Sequence, residues 1–262
     1  MQRYRISLEY DGTRYAGWQV QQNAKSVQGA LITAARTAFD EVGQVMGSGR
    51  TDVGVHALEQ VAHIDLPDGL TTRNVIYGLN DALAADINVR FAAAVDRRFH
   101  ARHDAKGRSY IYQIATRRTA FAKPFVWWIR DELNVGQMRR ASGAAVGMHD
   151  YRAFADLDDD DDGSTKVLVD SLDIAVAGEL ILIRMRASHF LRKMVRRVVG
   201  TLVEIGRDAQ PPTLFNDALA AGPDVQIKFT APPSGLFLEQ VIYQGESFRS
   251  ELRPAVSVAP RE

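Results

Sequence analysis

Residues 47–57 read Gly-Ser-Gly-Arg-Thr-Asp-Val-Gly-Val-His-Ala. Gly47, Gly49 and Gly54 bracket Arg50, Thr51 and Asp52, and glycines at this density let a main chain turn sharply and approach a ligand, at an entropic cost that a plain surface loop has little reason to bear. The loop is built to present Asp52, and a carboxylate so presented serves as a nucleophile or a base. A phosphate-binding loop needs Lys followed by Ser or Thr after its last glycine, and none is here. The dinucleotide-binding fingerprint fails on spacing, and Asp52 would repel a pyrophosphate. Two other readings stay open. Asp52 is suited to an Asx-type turn that bonds its own backbone. Asp52, His56 and His63 form a loose set of metal ligands, although the chain has no Cys and no His-x-x-x-His or paired carboxylate near them.

The elements that hold this loop are legible on either side of it. After it, Ala62, Ile64 and Leu66 alternate with Val61, His63 and Asp65, a strand that anchors the loop. Before it, Tyr4, Ile6, Leu8 and Tyr10 alternate with Arg3, Arg5, Ser7 and Glu9 and stop at Asp11-Gly12. The aromatic stretch Tyr15-Ala16-Gly17-Trp18-Gln19 follows as a loop, and Ser26 caps a helix carrying Val27, Leu31, Ala34, Ala35 and Ala38. Thr72 is placed as the cap of a second helix through Val75, Ile76, Leu79 and Leu83, and Ile87, Val89, Phe91, Ala93 and Val95 alternate as a further strand.

Farther on, Tyr110, Tyr112 and Ile114 share one face of a strand, and Asn134 begins a helix with Val135, Met138, Ala141 and Ala145 on one side. Two strands, 167–176 and 180–187, flank Ala177-Gly178-Glu179. Residues 188–205 read as one helix, with Leu191, Met194, Val195, Val198, Leu202 and Ile205 on one arc and His189, Arg192, Lys193, Arg196 and Gly200 on the other. In that basic ridge Gly200 removes a side chain where a ligand would approach. A short helix over 214–221 and a last strand ending near Tyr243 complete the pattern, and a polar, Pro-punctuated tail follows from Gly245. Strands and helices mixed without strict alternation indicate the α+β class with antiparallel sheet.

The chain of 262 residues is long enough for one large or two modest domains. No run approaches the roughly eighteen apolar residues of a membrane helix, and Met-Gln-Arg-Tyr-Arg has no apolar signal core behind it, so a cytoplasmic protein is expected. Absence of Cys removes disulfides, thiolate chemistry and cysteine-ligated zinc. Formal charge is 32 minus 32, or zero, yet the charges are segregated. Residues 97–118 carry seven Arg or Lys against one Asp, and residues 184–207 carry seven against one Glu, each net plus six. Asp156 and residues 158–162 supply six acids with no base, read as a solvated loop outside any polyanion path. Such segregation builds a basic face on a neutral protein.

The run Gly-Arg-Thr-Asp-Val-Gly-Val-His resembles the signature of the TruA-type tRNA pseudouridine synthases. Further stretches are similar to the family: Glu9-Tyr10-Asp11-Gly12 with Gly17-Trp18-Gln19, Phe99-His100-Ala101-Arg102, Arg108-Ser109-Tyr110-Ile111-Tyr112, the turn from Asp150 to Phe154, the run Phe190…Met194-Val195-Arg196…Val199-Gly200, and residues 231–238. The similarity spans about residues 3–243. It implies two related ferredoxin-like or RRM-like α+β halves joined into one extended sheet with an active-site cleft between them. The corresponding division is 1–104 for the half with the Asp52 loop, 105–246 for the half with the basic helix, and 247–262 for a flexible tail. The implied reaction isomerises uridine to pseudouridine at positions 38, 39 or 40 of the tRNA anticodon arm, in a homodimer, with no cofactor and no metal. By the same resemblance Asp52 is the catalytic carboxylate, Arg196 its cationic partner, Tyr110 the ring against the target base, and Arg50 the side chain that fills or supports the space left by the flipped base. His56, Arg108, Arg192 and Lys193 are the further expected substrate contacts.

Overall fold

The computed structural model describes residues 1–157, 163–222 and 225–259; residues 158–162 of the acidic tract lie outside the described residues. Two compact units form, one from Met1–Lys106 with Phe237–Phe248, the other from Gly107–Leu236 with Arg249–Glu262. In chain order the elements of the first unit are β1 (Gln2–Tyr10), α1 (Val27–Ala38), β2 (Val45–Gly47), β3 (His56–Leu66), α2 (Thr72–Ala82) and β4 (Ile87–Val95). Those of the second are β5 (Gly107–Ala115), β6 (Trp127–Trp128), α3 (Val135–Ser142), β7 (Gly147–Asp150), β8 (Lys166–Ala177), β9 (Leu180–Ala187), α4 (Met194–Gly206) and α5 (Leu214–Leu219). The last strand, β10 (Leu236–Ile242), returns to the first unit.

In the first unit β1 lies between β4 and β3 and is antiparallel to both. Its even residues Tyr4, Ile6, Leu8 and Tyr10 are buried and the odd ones half-buried, as the alternation requires. β3 also takes β2 antiparallel and, at its start, β10 in parallel through Phe237↔His56 and Leu238↔Ala57. Val61, Ala62, His63 and Ile64 are all buried, so β3 is enclosed on both faces. In β4 the expected alternation of Ile87, Val89 and Phe91 breaks. The register against β1 shifts between Ser7 and Leu8, which turns Phe91 outward at 49% exposure and Ala92 inward. Ser26 caps α1 by accepting the Gly29 N–H. The cap of α2 is Thr71 rather than Thr72: Thr71 Oγ1 accepts the Asn74 N–H and Asn74 Oδ1 accepts the Thr71 N–H, a reciprocal box.

The second unit orders its strands β5-β9-β8-β7, all antiparallel, with β6 beside the end of β5 in parallel. Helix α4 packs against α3. It starts at Met194, six residues later than the apolar spacing suggests, because Lys193 adopts the left-handed conformation with φ 59° and breaks the helical path. His189, Arg192 and Lys193 are therefore not on a helical ridge. Gly200 faces the chain's own backbone and not a ligand: a Cβ there would lie 2.4 Å from the Phe229 carbonyl oxygen. Residues 250–255 are tied to the second unit by side chains of β5 and β9. Buried Arg184 donates to the carbonyls of Ser250 at 2.9 Å and Glu251 at 2.8 Å, and buried Gln113 accepts the Ala255 N–H at 2.6 Å.

Candidate active site

In the first unit the Asp52 loop is gripped at its base by four groups. Gln60, fully buried on β3, accepts from Ser48 Oγ at 2.7 Å and donates to the Gly49 carbonyl at 2.9 Å. Ser48 N–H donates to the Val61 carbonyl at 2.7 Å. Trp18 N–H donates to the Thr51 carbonyl at 3.1 Å, and Tyr10 hydroxyl pairs with Thr51 Oγ1 at 2.8 Å. Burial, outweighing the bonds to Thr51 and Gln60, pushes the Tyr10 hydroxyl up to about 12, so it stays neutral at physiological pH. Gly17 stands where the aromatic loop crosses: its φ is +88°, and a Cβ would sit 2.5 Å from the Thr51 carbonyl oxygen. The Asp52 carbonyl accepts the Val55 N–H at 3.1 Å, closing the turn. Around this fixed base Asp52 stays partly exposed, Arg50 and Val53 are exposed, and Arg50 Nε donates to Gln19 Oε1 at 3.2 Å. A fixed base under a half-buried Asp52 is what pre-organised chemistry needs.

His56 does not face this opening. Its ring is buried, Nδ1 accepts the Gly12 N–H at 3.0 Å, and it stacks on Phe237 at 4.7 Å. His63 is likewise buried, with Nδ1 accepting the Ala101 N–H at 3.1 Å. Both imidazoles thus use Nδ1 on a main-chain donor, and among the described residues no three His, Asp or Glu side chains group as metal ligands. His56 thereby supports the start of β3.

The remaining expected site residues lie in the second unit. Tyr110 on β5 sits opposite Met185 of β9, is 8% exposed, and meets Phe190 edge-on at 4.9 Å. Tyr112 is fully buried and donates to the Pro232 carbonyl at 2.8 Å. Arg108 Nη1 donates to the Ser188 carbonyl at 3.0 Å, joining β5 to the segment that leads to α4. Arg196 is held twice by one residue. Its Nε donates to the Ala231 carbonyl at 2.8 Å, and its own carbonyl accepts the Ala231 N–H at 3.0 Å. Arg192 and Lys193 converge on Asp156, with Arg192 Nη2 at 2.8 Å and Lys193 Nζ at 2.7 Å from Oδ2. Asp156, read from sequence as part of a solvated loop, is an ion-pair centre; Lys193 foremost, with Arg192, holds its carboxyl below the usual range.

A family model described as tRNA pseudouridine synthase matches residues 141–244, which contain the Asp156 centre and α4. The chain is 42% identical over 241 residues to tRNA pseudouridine synthase A of Syntrophotalea carbinolica, covering 91% of this chain and 95% of the relative. It is 39% identical to the same enzyme of Sinorhizobium fredii, covering 93% and 100%, and 35% identical to that of Aquifex aeolicus, covering 92% and 100%. The chain belongs to the tRNA pseudouridine synthase A family. Membership makes it an isomerase of the pseudouridine synthase type. In this pseudouridine synthase the residues that sequence reasoning passed over are supports: Gln60 and Tyr10 under the Asp52 loop, Ala231 on Arg196, and Asp156 before α4. Of these only Tyr10 carried a local signal, as the last inward position of an alternating strand.

Proposed function

We propose that the chain converts uridine to pseudouridine in tRNA, at positions 38, 39 or 40 of the anticodon arm, with Asp52 as the catalytic carboxylate. The bond from ribose C1′ to base N1 breaks, the detached base turns, and C1′ joins C5; the proton lost from C5 is balanced by one gained at N1. No atom enters or leaves, so the isomerisation needs no cofactor and no metal. The target uridine is stacked in its RNA and is flipped out before Asp52 reaches it, at a cost of a few kcal/mol. Arg50 fills or supports the vacated space, Tyr110 packs on the flipped base, and Arg196 keeps Asp52 ionised. Arg108, Arg192 and Lys193 serve the phosphates, in a cytoplasmic homodimer. The observation that carries this reading is a partly exposed Asp52 on a loop whose base is fixed by Gln60, Tyr10 and the Trp18 main chain.

The test is pseudouridine mapping on unmodified tRNA incubated with the purified protein and a chelator, beside Asp52→Asn. Product in the anticodon arm with the parent protein alone is the expected result. Tight tRNA binding without product would reduce the chain to an RNA-binding protein. Loss of product on chelation would restore a metal-dependent reading. Arg196→Ala is expected to lower turnover more than tRNA affinity; the reverse would make Arg196 a binding residue.

A further inference from the structure

The geometry points to Asp156 as a positioning residue for the reaction, one that fixes the entry to α4 and through it Arg196. This rests on Arg196 acting in catalysis as proposed above. Four side-chain bonds reach the Asp156 carboxylate. Oδ2 accepts from Lys193 Nζ at 2.7 Å, Arg192 Nη2 at 2.8 Å and Arg192 Nε at 3.1 Å, and Oδ1 accepts from Arg197 Nη2 at 3.1 Å. The main chain joins in: Asp156 N–H donates to the Arg192 carbonyl at 3.0 Å, and the neighbouring Ala155 carbonyl accepts from Arg197 Nη1 and from Gln226 Nε2. One acidic residue thus holds positions 192, 193 and 197, which flank Arg196 on both sides.

That grip stands where the helix start has no capping side-chain bond, its first N–H, of Met194, donating instead to the Leu191 carbonyl at 3.1 Å. Lys193 precedes α4 as its cap residue, makes no capping side-chain bond, and is one of two non-glycine residues with positive φ among the described residues. A left-handed lysine persists only when its surroundings over-determine it, and such constraint clusters at functional positions. The Lys193 side chain is held by Asp156 and its main chain by the Arg197 N–H, which donates to the Lys193 carbonyl at 3.0 Å. Arg196 is the third residue of α4, inside the turn that frays first when a helix start is released. Without Asp156 three cations would face one another across that start, and their repulsion would open it. With Asp156 the cluster keeps a net charge of plus two, and Arg192 still presents half of its side chain to solvent.

The experiment compares full-length Asp156→Asn, Asp156→Glu, Arg196→Ala and the double variant by single-turnover pseudouridine formation at saturating tRNA, by tRNA Kd with its salt slope, and by thermal unfolding. Asp156→Asn is expected to lower the single-turnover rate about tenfold with Kd within about twofold, less than the roughly hundredfold that a full 1 Å misplacement costs, because Ala231 still holds Arg196. Asp156→Glu is expected to recover part of the rate, and Asp156→Asn is expected to add nothing to Arg196→Ala in the double variant. A lower melting temperature with an unchanged rate would overturn the inference, leaving Asp156 a scaffold residue. So would tighter binding with a steeper salt slope and an unchanged rate, which would leave Asp156 only a mask over the phosphate-binding cations. Additive losses would show that Asp156 does not act through Arg196. A rate unmoved by Arg196→Ala alone would remove that residue's catalytic role and this inference with it, whereas a loss there with none in Asp156→Asn removes the inference only. Should Asp156→Asn fail to fold, Lys193→Gln removes the 2.7 Å bond while leaving the carboxylate on Arg192 and Arg197. It is then expected to give a smaller rate loss of the same sign, and an unchanged rate would count against the inference.

Discussion

Gly200→Ala separates two accounts of the basic helix. If Gly200 were a gap left for RNA, the added methyl would weaken tRNA binding and leave stability alone. The structure predicts otherwise. The new Cβ would lie 2.4 Å from the Phe229 carbonyl oxygen, 2.6 Å from its carbon and 3.1 Å from the Thr230 nitrogen, against 3.4 Å for the near limit of ordinary contact. Those atoms are main chain, so the crossing segment must retreat by about 1 Å to regain contact distance. Overpacking of this kind costs roughly 1–3 kcal/mol, which at about 2–4 °C per kcal/mol lowers the melting temperature by about 2–12 °C. The retreat also carries Ala231 with it, and Ala231 is bonded to both the Nε and the carbonyl of Arg196. With Arg196 in the catalytic role proposed above, a displacement of about 1 Å there costs on the order of a hundredfold in rate. Thermal unfolding and single-turnover pseudouridine formation check both parts. An unchanged melting temperature with weakened tRNA binding would refute the reasoning and return Gly200 to the RNA face.

Three further outcomes follow from the same packing. Tyr10→Phe deletes the 2.8 Å partner of Thr51 beneath the Asp52 loop; it is expected to cost about 1–2 kcal/mol in denaturant unfolding and to reduce the single-turnover rate with tRNA Kd unchanged. Arg184→Met keeps the apolar stem but removes the donors to the carbonyls of Ser250 and Glu251, so limited proteolysis is expected to release the C-terminal segment many times faster than in the parent. His63 is pushed down from 6.5 to about 4, by burial first and then by the Arg3 charge. The unfolded chain therefore binds a proton that the folded chain refuses between those values. Stability is full above pH 6.5 and falls as pH drops toward 4, by up to about 3 kcal/mol from this group. His63→Gln is expected to flatten that part of a stability-against-pH curve, and an unchanged slope would remove His63 as its source.

Features set by neighbours in sequence were readable in advance. The alternation of Tyr4 to Tyr10, the Ser26 cap, the Asn134 start of α3 and the glycine turn between β8 and β9 each depend on a few consecutive residues. So does the Asp52 loop, whose glycines and following strand are contiguous with it. Failures came where a distant partner decided a local conformation. Apolar spacing through Leu191 is equally compatible with a helix from Ser188, and the start moves to Met194 because Lys193 is held left-handed beside Asp156, 37 positions earlier. His56 and His63 have the chemistry of ligands, yet each is taken up by a main-chain N–H from residues 44 and 38 positions away.

The sequence by itself determined the α+β class, the loop that presents Asp52, the tyrosine strand and the basic character of the α4 region, because these follow from period, turn chemistry and residue type. Tertiary structure alone decided that Gly200 admits the chain's own backbone, that Asp156 is an ion-pair centre and not a solvated acid, that Phe91 turns outward, and that residues 249–255 are tied to Arg184 and Gln113. The physical reason is common to all four: a side chain's role is fixed by what occupies the space around it, and here that space is filled from elsewhere in the chain.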